Sequence, residues 1–441
     1  MHTRRVYEKA LQGAALLACF AYAVACGDTT TNDDPGDAGG GGGSSSGASG
    51  TSGTSGASGT SGSGGPGGPG GPGGPGGTQT DGGSDTGQNV TDAGPQTAEG
   101  FGAGAVGGAN STVVYHVTTL VGKGAGSLQA GIGSNKTIVF DVSGTIQGKN
   151  GIGEGRYDLT GVSYLTIDAN GHDVTIDNNN NGDGITFAGQ NSHHNILKGI
   201  RVINAGGDGI NVVEGAHDIL ITGCSSYGNR DGNIDIAATN DPGSATKNVT
   251  VQYCILGGGA PSSDFAGPTL VTAQNVTLHH NLFSPASVGN VGERCPLVHA
   301  SYSPVGAPNA DIRNNVVWKF GRNNGTGSGF GADIAYAATA NVVNNYYYSS
   351  SDGSNAVVTN GSYGNSPPGL GYVAGNVSGN NGVNPNSASN HAMYNIPQSN
   401  AVTMQDACVA AKLVLSKAGP AVRNPVEQAM IADVKLPGCP P

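Results

Sequence analysis

Charge is scarce in this 441-residue chain: only 11% of its residues are charged, and they sum to −11. No basic cluster lies in the folded region, which argues against nucleic acid as a partner. The negative balance would also repel a polyanionic ligand unless a cation bridged it to the protein. Amphipathic helices are missing between the strand-like segments, which excludes a βαβ sheet. Turn signals at the spacing of about 8–12 residues expected of a sandwich or antiparallel barrel are missing too. Cysteine is sparse, at 7 residues. Cys408 and Cys439 flank the C-terminal segment, where a disulfide would close it. Cys224 and Cys254 fall at equivalent points of successive repeats and read as stacked buried thiols, because parallel side chains on neighbouring rungs are poorly oriented to bond. Cys295 has no obvious partner.

What the chain has in abundance is glycine, with 79 residues. Residues 38–77 are nearly pure Gly, Ser, Thr, Ala and Pro and cannot bury enough apolar surface to offset their ordering entropy, so residues 26–97 read as a disordered tether. Before it, Arg4, Arg5 and Lys9 precede an apolar run from Ala10 to Ala25, which reads as an export signal over residues 1–25 and not a membrane span. Ala23-Val24-Ala25-Cys26 resembles a bacterial lipobox with Ala23 where Leu is usual. Cys26 is therefore the expected lipid-anchor site, and ordinary secretion with cleavage at the same bond is the alternative. The expected location is extracellular or anchored on a bacterial outer membrane.

From residue 98 onward short β-branched segments recur. Tyr164-Leu165-Thr166-Ile167, Asn195-Ile196-Leu197-Lys198-Gly199-Ile200 and Ile219-Leu220-Ile221-Thr222-Gly223-Cys224 are followed by Val249-Thr250-Val251-Gln252-Tyr253-Cys254. Then come Val276-Thr277-Leu278-His279-His280-Asn281, Ile312-Arg313-Asn314-Asn315-Val316-Val317 and Val342-Val343-Asn344-Asn345-Tyr346-Tyr347. The period is roughly 25–34 residues, within the range of stacked arrays. No unit buries its apolar face alone, but stacked units share one core. The expected fold is all-β, a right-handed parallel β-helix over residues 98–400. Cys224, Cys254, Asn281, Asn315 and Asn345 should form a ladder of side chains inside it or at a corner. A short helix capped by Ser127 should open the stack. Helical spacing over Met404–Leu415 and Pro425–Val434 predicts that residues 401–441 flank it.

Long ordered blocks within residues 99–434 resemble the pectate lyase family, the first polysaccharide lyase family, and bacterial exported members in particular. They include Gly100-Phe101-Gly102-Ala103, Val114-Tyr115-His116-Val117-Thr118-Thr119-Leu120, Thr137 to Ile146 and Ala418-Gly419-Pro420-Ala421-Val422-Arg423-Asn424-Pro425-Val426. The resemblance implies a monomeric, calcium-dependent enzyme that cleaves polygalacturonate or a related acidic polysaccharide by β-elimination, giving unsaturated oligogalacturonides.

It also implies a site. Asp208, in Gly207-Asp208-Gly209-Ile210, with Asp231 and Asp235 in the following coil, matches the family's Ca2+ ligands. Three carboxylates leave room for water and substrate oxygens around a cation that takes about 6–8 ligands. Asp-Gly pairs also serve turns, as the duplicate Gly182-Asp183-Gly184-Ile185 indicates. Arg294 matches the first arginine of the Arg-x-Pro-x-x-Arg motif and is the candidate catalytic residue, as proton acceptor or as stabiliser of enolate-like charge. It lies two coils from Asp231, about 10 Å along the axis. A surface ion pair with Glu293 is the structural alternative. His299 and Asp264 are the candidate substrate-binding residues.

The chain departs from the family pattern in three places. The second arginine of the motif is His299, which could replace it only when charged. No lysine stands in Gly267-Pro268-Thr269-Leu270, where the family has one. The usual Trp-Ile-Asp-His block reads Leu220-Ile221-Thr222-Gly223. His279 and His280 are given a structural role before a catalytic one. A pectin lyase and a tethered, non-catalytic carbohydrate-binding β-helix are the rival readings. The signatures of a polygalacturonase are absent from residues 98–400.

Overall fold

The computed structural model describes residues 97–148, 156–238, 245–258, 267–286, 291–292, 294–300, 307–321, 330–349, 355–360, 367–380, 383–394 and 400–441. The export signal, Cys26, the tether before Thr97, Asp264 and Glu293 lie outside the described residues.

Among the described residues the strands form three parallel sheets of ten, eight and nine strands. One coil shows the winding. Arg201–Ile203 lies in the nine-stranded sheet, Ile210–Val213 in the eight-stranded one and His217–Thr222 in the ten-stranded one; Ser225–Tyr227 then returns to the first sheet one rung on. This is the right-handed parallel β-helix the repeats predict. Period-2 alternation drives it. Ile219 and Ile221 pair in register with Val249 and Val251, and these with Val276 and Leu278. All six belong to one buried apolar core. Parallel stacking puts like beside like on every rung.

The turn between the ten- and nine-stranded sheets is also stacked. Gly223, Tyr253, His280, Asn314, Asn344 and Gly375 occupy it with φ of 60, 50, 54, 56, 56 and 66°. This left-handed region suits Gly and Asn; Tyr and His are held there by their neighbours. The next residue forms the ladder. Asn281, Asn315 and Asn345 each donate from Nδ2 to the Oδ1 one rung on, at 3.0, 2.9 and 2.9 Å, and the ladder continues into Asn376. Each Nδ2 also donates to a main-chain oxygen, so the buried amides satisfy one another and the backbone. Cys224 and Cys254 are free buried thiols at the foot of this ladder.

The terminal segments pack on two of the sheets. Residues 99–108 cross the ten-stranded sheet, with Gly102 N, Phe101 N and Gly108 N donating to the hydroxyls of Thr250, Thr277 and Thr166. Ser127 caps the short helix Leu128–Gly131. The C-terminal helices Ala407–Lys417 and Pro425–Asp433 lie on the nine-stranded sheet, where Ala411, Val414 and Met430 meet Ile255, Leu282 and Tyr346. The first starts at Ala407 and not at Met404, because the Asp406 carboxylate accepts from Cys408 N and Val409 N and fixes the boundary. Cys408 and Cys439 are disulfide-bonded.

Beneath the second helix Arg201 is buried at 1% exposure. It donates to Glu427 at 2.7 and 2.6 Å, to Asp173 at 2.6 Å and to Thr175 at 2.7 Å. Burial alone would push the guanidinium down; the Glu427 and Asp173 carboxylates more than offset this and raise it. No described helix is long and apolar enough to cross a membrane.

Candidate functional site

Alternation within the eight-stranded sheet sends Ile234 and Ile236 into the core and Asp235 outward. Asp208 and Asp231 sit in the turns that lead into this sheet on successive coils. The three residues bring one carboxylate oxygen each within 4.8 Å of one another. Part of the acidic pattern is structural. Asp183 Oδ1 accepts from Asp208 N at 3.1 Å, Asp208 Oδ1 from Gly232 N at 2.8 Å, and Asp235 Oδ1 from Leu270 N at 2.9 Å. Each carboxylate thus ties down the coil above it. The turn role and the convergence of Asp208, Asp231 and Asp235 therefore coexist. Gly232 allows the convergence: a Cβ there would collide with the Asp235 carboxylate.

The electrostatics fit a bound cation. Burial, then repulsion from Asp235, Asp231 and Asp183, pushes the Asp208 carboxyl well above the usual carboxylate range. Burial and Asp231 push Asp235 up to about 7, with Arg294 opposing. An all-oxygen, acidic donor set suits a hard divalent ion such as Ca2+.

Arg294 enters differently from expectation. Its backbone is two coils from Asp235, but its side chain reaches back across the intervening coil, and Nη1 lies 3.2 Å from Asp231 Oδ1. The axial gap is thus closed by the side chain. The Arg294 side chain is 8% exposed and pairs with Asp231; Glu293, its alternative partner, lies outside the described residues. Gly267 makes this path: an added Cβ would overlap the Cβ, Cγ and Cδ of Arg294. Gly267→Ala should therefore displace the guanidinium from Asp231. On the activity that the resemblance implies, turnover should fall by about tenfold or more, on the scale of a misplaced positioning group, with unchanged circular dichroism. Wild-type turnover in this variant would show that the path of Arg294 over Gly267 does not matter.

His299 is more buried than its place in the motif suggests. It points outward from the strand Leu297–His299, but it is 2% exposed and packs edge-on against Tyr336. Burial, aided by Arg294, lowers it to about 4. A charged imidazole replacing the family's second arginine is therefore not what this position provides. His279 and His280 are buried on the ten-stranded side, joined Nδ1 to Nδ1 at 2.8 Å and tied to Gln252 and Gln405, away from the carboxylates. Burial lowers both.

All three histidines titrate in the fold below their unfolded value of about 6.5. The unfolded chain binds protons first as pH falls, so their contribution is full above about 6.5 and is lost below it, for His299 on the way down to about 4. For His299 alone the loss is on the order of 3 kcal/mol. The raised Asp208 and Asp235 carboxyls add stability over the same range as pH falls, so the His299 contribution is read as a difference: urea unfolding should show wild type losing about that amount relative to His299→Leu between neutral pH and about pH 4.5. A relative stability that does not change with pH would remove His299 from the account.

Sequence reasoning missed Gly267 as the residue that admits Arg294. The available signal was a glycine within Gly267-Pro268-Thr269-Leu270, the stretch near which the family has its lysine. Leu270 and Leu297 were also missed. Both point outward, since Val271 and Val298 beside them are in the core.

No family model matches the chain. Over 270 residues it is 29% identical to a protein named probable pectate lyase C from Aspergillus terreus and 30% identical to one of that name from Emericella nidulans; the match takes in 60% of this chain and 56% and 55% of those. The chain therefore spans about half the length of the curated relatives it matches. The cedar-pollen allergen jun a 1 has the same fold, with TM-score 0.53 and 19% identity over 73% of this chain and 92% of that one. So does a Bacillus pectate lyase in complex with trigalacturonate, with TM-score 0.51 and 20% identity over 75% and 100%.

Proposed function

We propose that this chain, a member of the pectate lyase family by its sequence relatives and its fold, is a calcium-dependent lyase that cleaves polygalacturonate by β-elimination and releases unsaturated oligogalacturonides. One observation carries the reading: Asp208, Asp231 and Asp235 converge on the outer face of one sheet, with Arg294 paired onto their rim. A calcium ion held by these three carboxylates would neutralise the uronate carboxylate of the substrate and acidify the adjacent carbon-five proton. Asp208 and Asp235 hold the geometry through their bonds to Gly232 N and Leu270 N. Arg294 brings a planar cation to the edge of the cluster. There it stabilises the enolate-like charge that develops as water takes the carbon-five proton and the glycosidic oxygen, protonated by solvent, departs from carbon four. Acting as the base itself would require it first to give up a proton. The amino-terminal charged and apolar stretch supports export, which would put the protein where its polymer is.

Activity on polygalacturonate, followed by the ultraviolet absorbance of the unsaturated ends, should be abolished by chelator and restored by calcium. Asp231→Asn with Asp235→Asn should raise the calcium requirement and leave the β-sheet circular dichroism intact. Full activity in chelator would remove calcium from the reading. A second reading, a binding-only β-helix, is favoured by the buried neutral His299 and the absence of lysine from Gly267-Pro268-Thr269-Leu270. It predicts polymer binding with no absorbance change at all.

A further inference from the structure

The outward row of the eight-stranded sheet runs, coil by coil, Asp158, Thr186, Asn211, Asp235, Leu270, Leu297, Asp333. Leu270 N donates to Asp235 Oδ1, which puts the first leucine directly beside the carboxylate cluster. Leu297 is its register partner, about 5 Å further along the axis. Both are half-buried, with their neighbours Val271 and Val298 filling the core instead. Carboxylates bracket the pair, Asp235 on one side and Asp333 on the other. Arg294 belongs to the same coil as Leu297, but its side chain is drawn back across the Gly267 coil to Asp231. The row thus changes from acidic to apolar one coil past the cluster, with no lysine or arginine among its outward positions from Asp158 to Asp333.

We infer that Leu270 and Leu297 form an apolar subsite that takes a methyl-esterified galacturonate unit while a free uronate occupies the carboxylate cluster. The preferred substrate is then a partly esterified galacturonan and not the fully charged polymer. The inference rests on the lyase reading for the identity of the sugar backbone. A free carboxylate placed on two leucines between two aspartates loses water and meets like charge. The ester removes the charge and adds a methyl group that the leucines cover. A polymer running along the coils would carry its next units over Leu270 and Leu297, because the coil spacing of about 5 Å is close to the length of one sugar.

The test compares kcat/KM on fully de-esterified, partly esterified and fully esterified galacturonan of matched length, with calcium present. Wild type should favour the partly esterified polymer over the de-esterified one by about tenfold, equivalent to ~1.4 kcal/mol. Leu270→Lys should reverse that ratio, and Leu297→Gln should reduce it; circular dichroism and melting temperature check that both fold. If none of the polymers is cleaved, the lyase reading fails. The same ratios are then read from binding, by affinity electrophoresis of wild type and variants in gels containing each polymer. A wild type that prefers the de-esterified polymer, with a ratio that neither substitution moves, overturns the subsite.

Discussion

Replacing Arg294 by lysine should lower turnover on polygalacturonate by about a hundredfold or more, the scale of losing a group aimed at the developing charge, while the melting temperature stays close to that of wild type. Lysine keeps the charge and can follow the same path over Gly267. It lacks the planar fork, and its single ammonium is a point charge. The guanidinium reaches Asp231 at 3.2 Å from a backbone two coils away, so its full length is in use. Substrate binding should change little if the interaction is made mainly in the transition state, so the loss should appear in kcat and not in KM. Wild-type turnover in this variant would make the Arg294–Asp231 pair structural and move the chemistry elsewhere.

The second large effect concerns stability. Glu427→Ala removes the main partner of Arg201, which is 1% exposed and cannot reach water. Arg201 keeps Asp173 but loses both bonds to Glu427, so the cost should be about 3 kcal/mol, the low end of the penalty for breaking a buried pair from one side. The same change takes away the acceptor of Ser225 Oγ and half of the capping box with Asn424, loosening the helix Pro425–Asp433 from the nine-stranded sheet. Denaturant titration should show a lower midpoint, and Glu427→Gln should fall between, since its amide oxygen can still accept from Asn424 N. The double variant Arg201→Met with Glu427→Leu should recover much of the loss, because a well-packed apolar pair carries no desolvation penalty. A double variant no more stable than Glu427→Ala would mean that packing and not charge dominates this contact.

Much of the fold was legible because a solenoid writes its structure into a local repeat. The strand Ile219-Leu220-Ile221 needs only its neighbours one coil away, and those carry the same alternation, so the aligned segments gave the ten-stranded sheet nearly rung by rung. The asparagine ladder was visible for the same reason. The helix Ala407–Lys417 was placed three residues too early because apolar spacing sees the buried face and not the cap; the Asp406 side chain sets the start. The network around Arg201 was not visible at all. Glu427 lies 226 residues away, and no periodicity links the two.

The candidate site divides along the same line. The sequence by itself determined the winding and the asparagine ladder, because each is set by residue type and by spacing within one or two coils; the three aspartates were picked out by the family resemblance and not by spacing. Only the tertiary structure decided what those groups do to one another. It showed that Asp208 and Asp235 each spend one oxygen on the next coil, and that Arg294 spans its two-coil distance by lying over Gly267. It showed too that His299, polar in the sequence, is buried, which lowers its pKa, and that Leu270 and Leu297 face outward beside the cluster. Side-chain path, burial and charge state depend on which atoms meet across coils, and residue identity along one coil leaves that open.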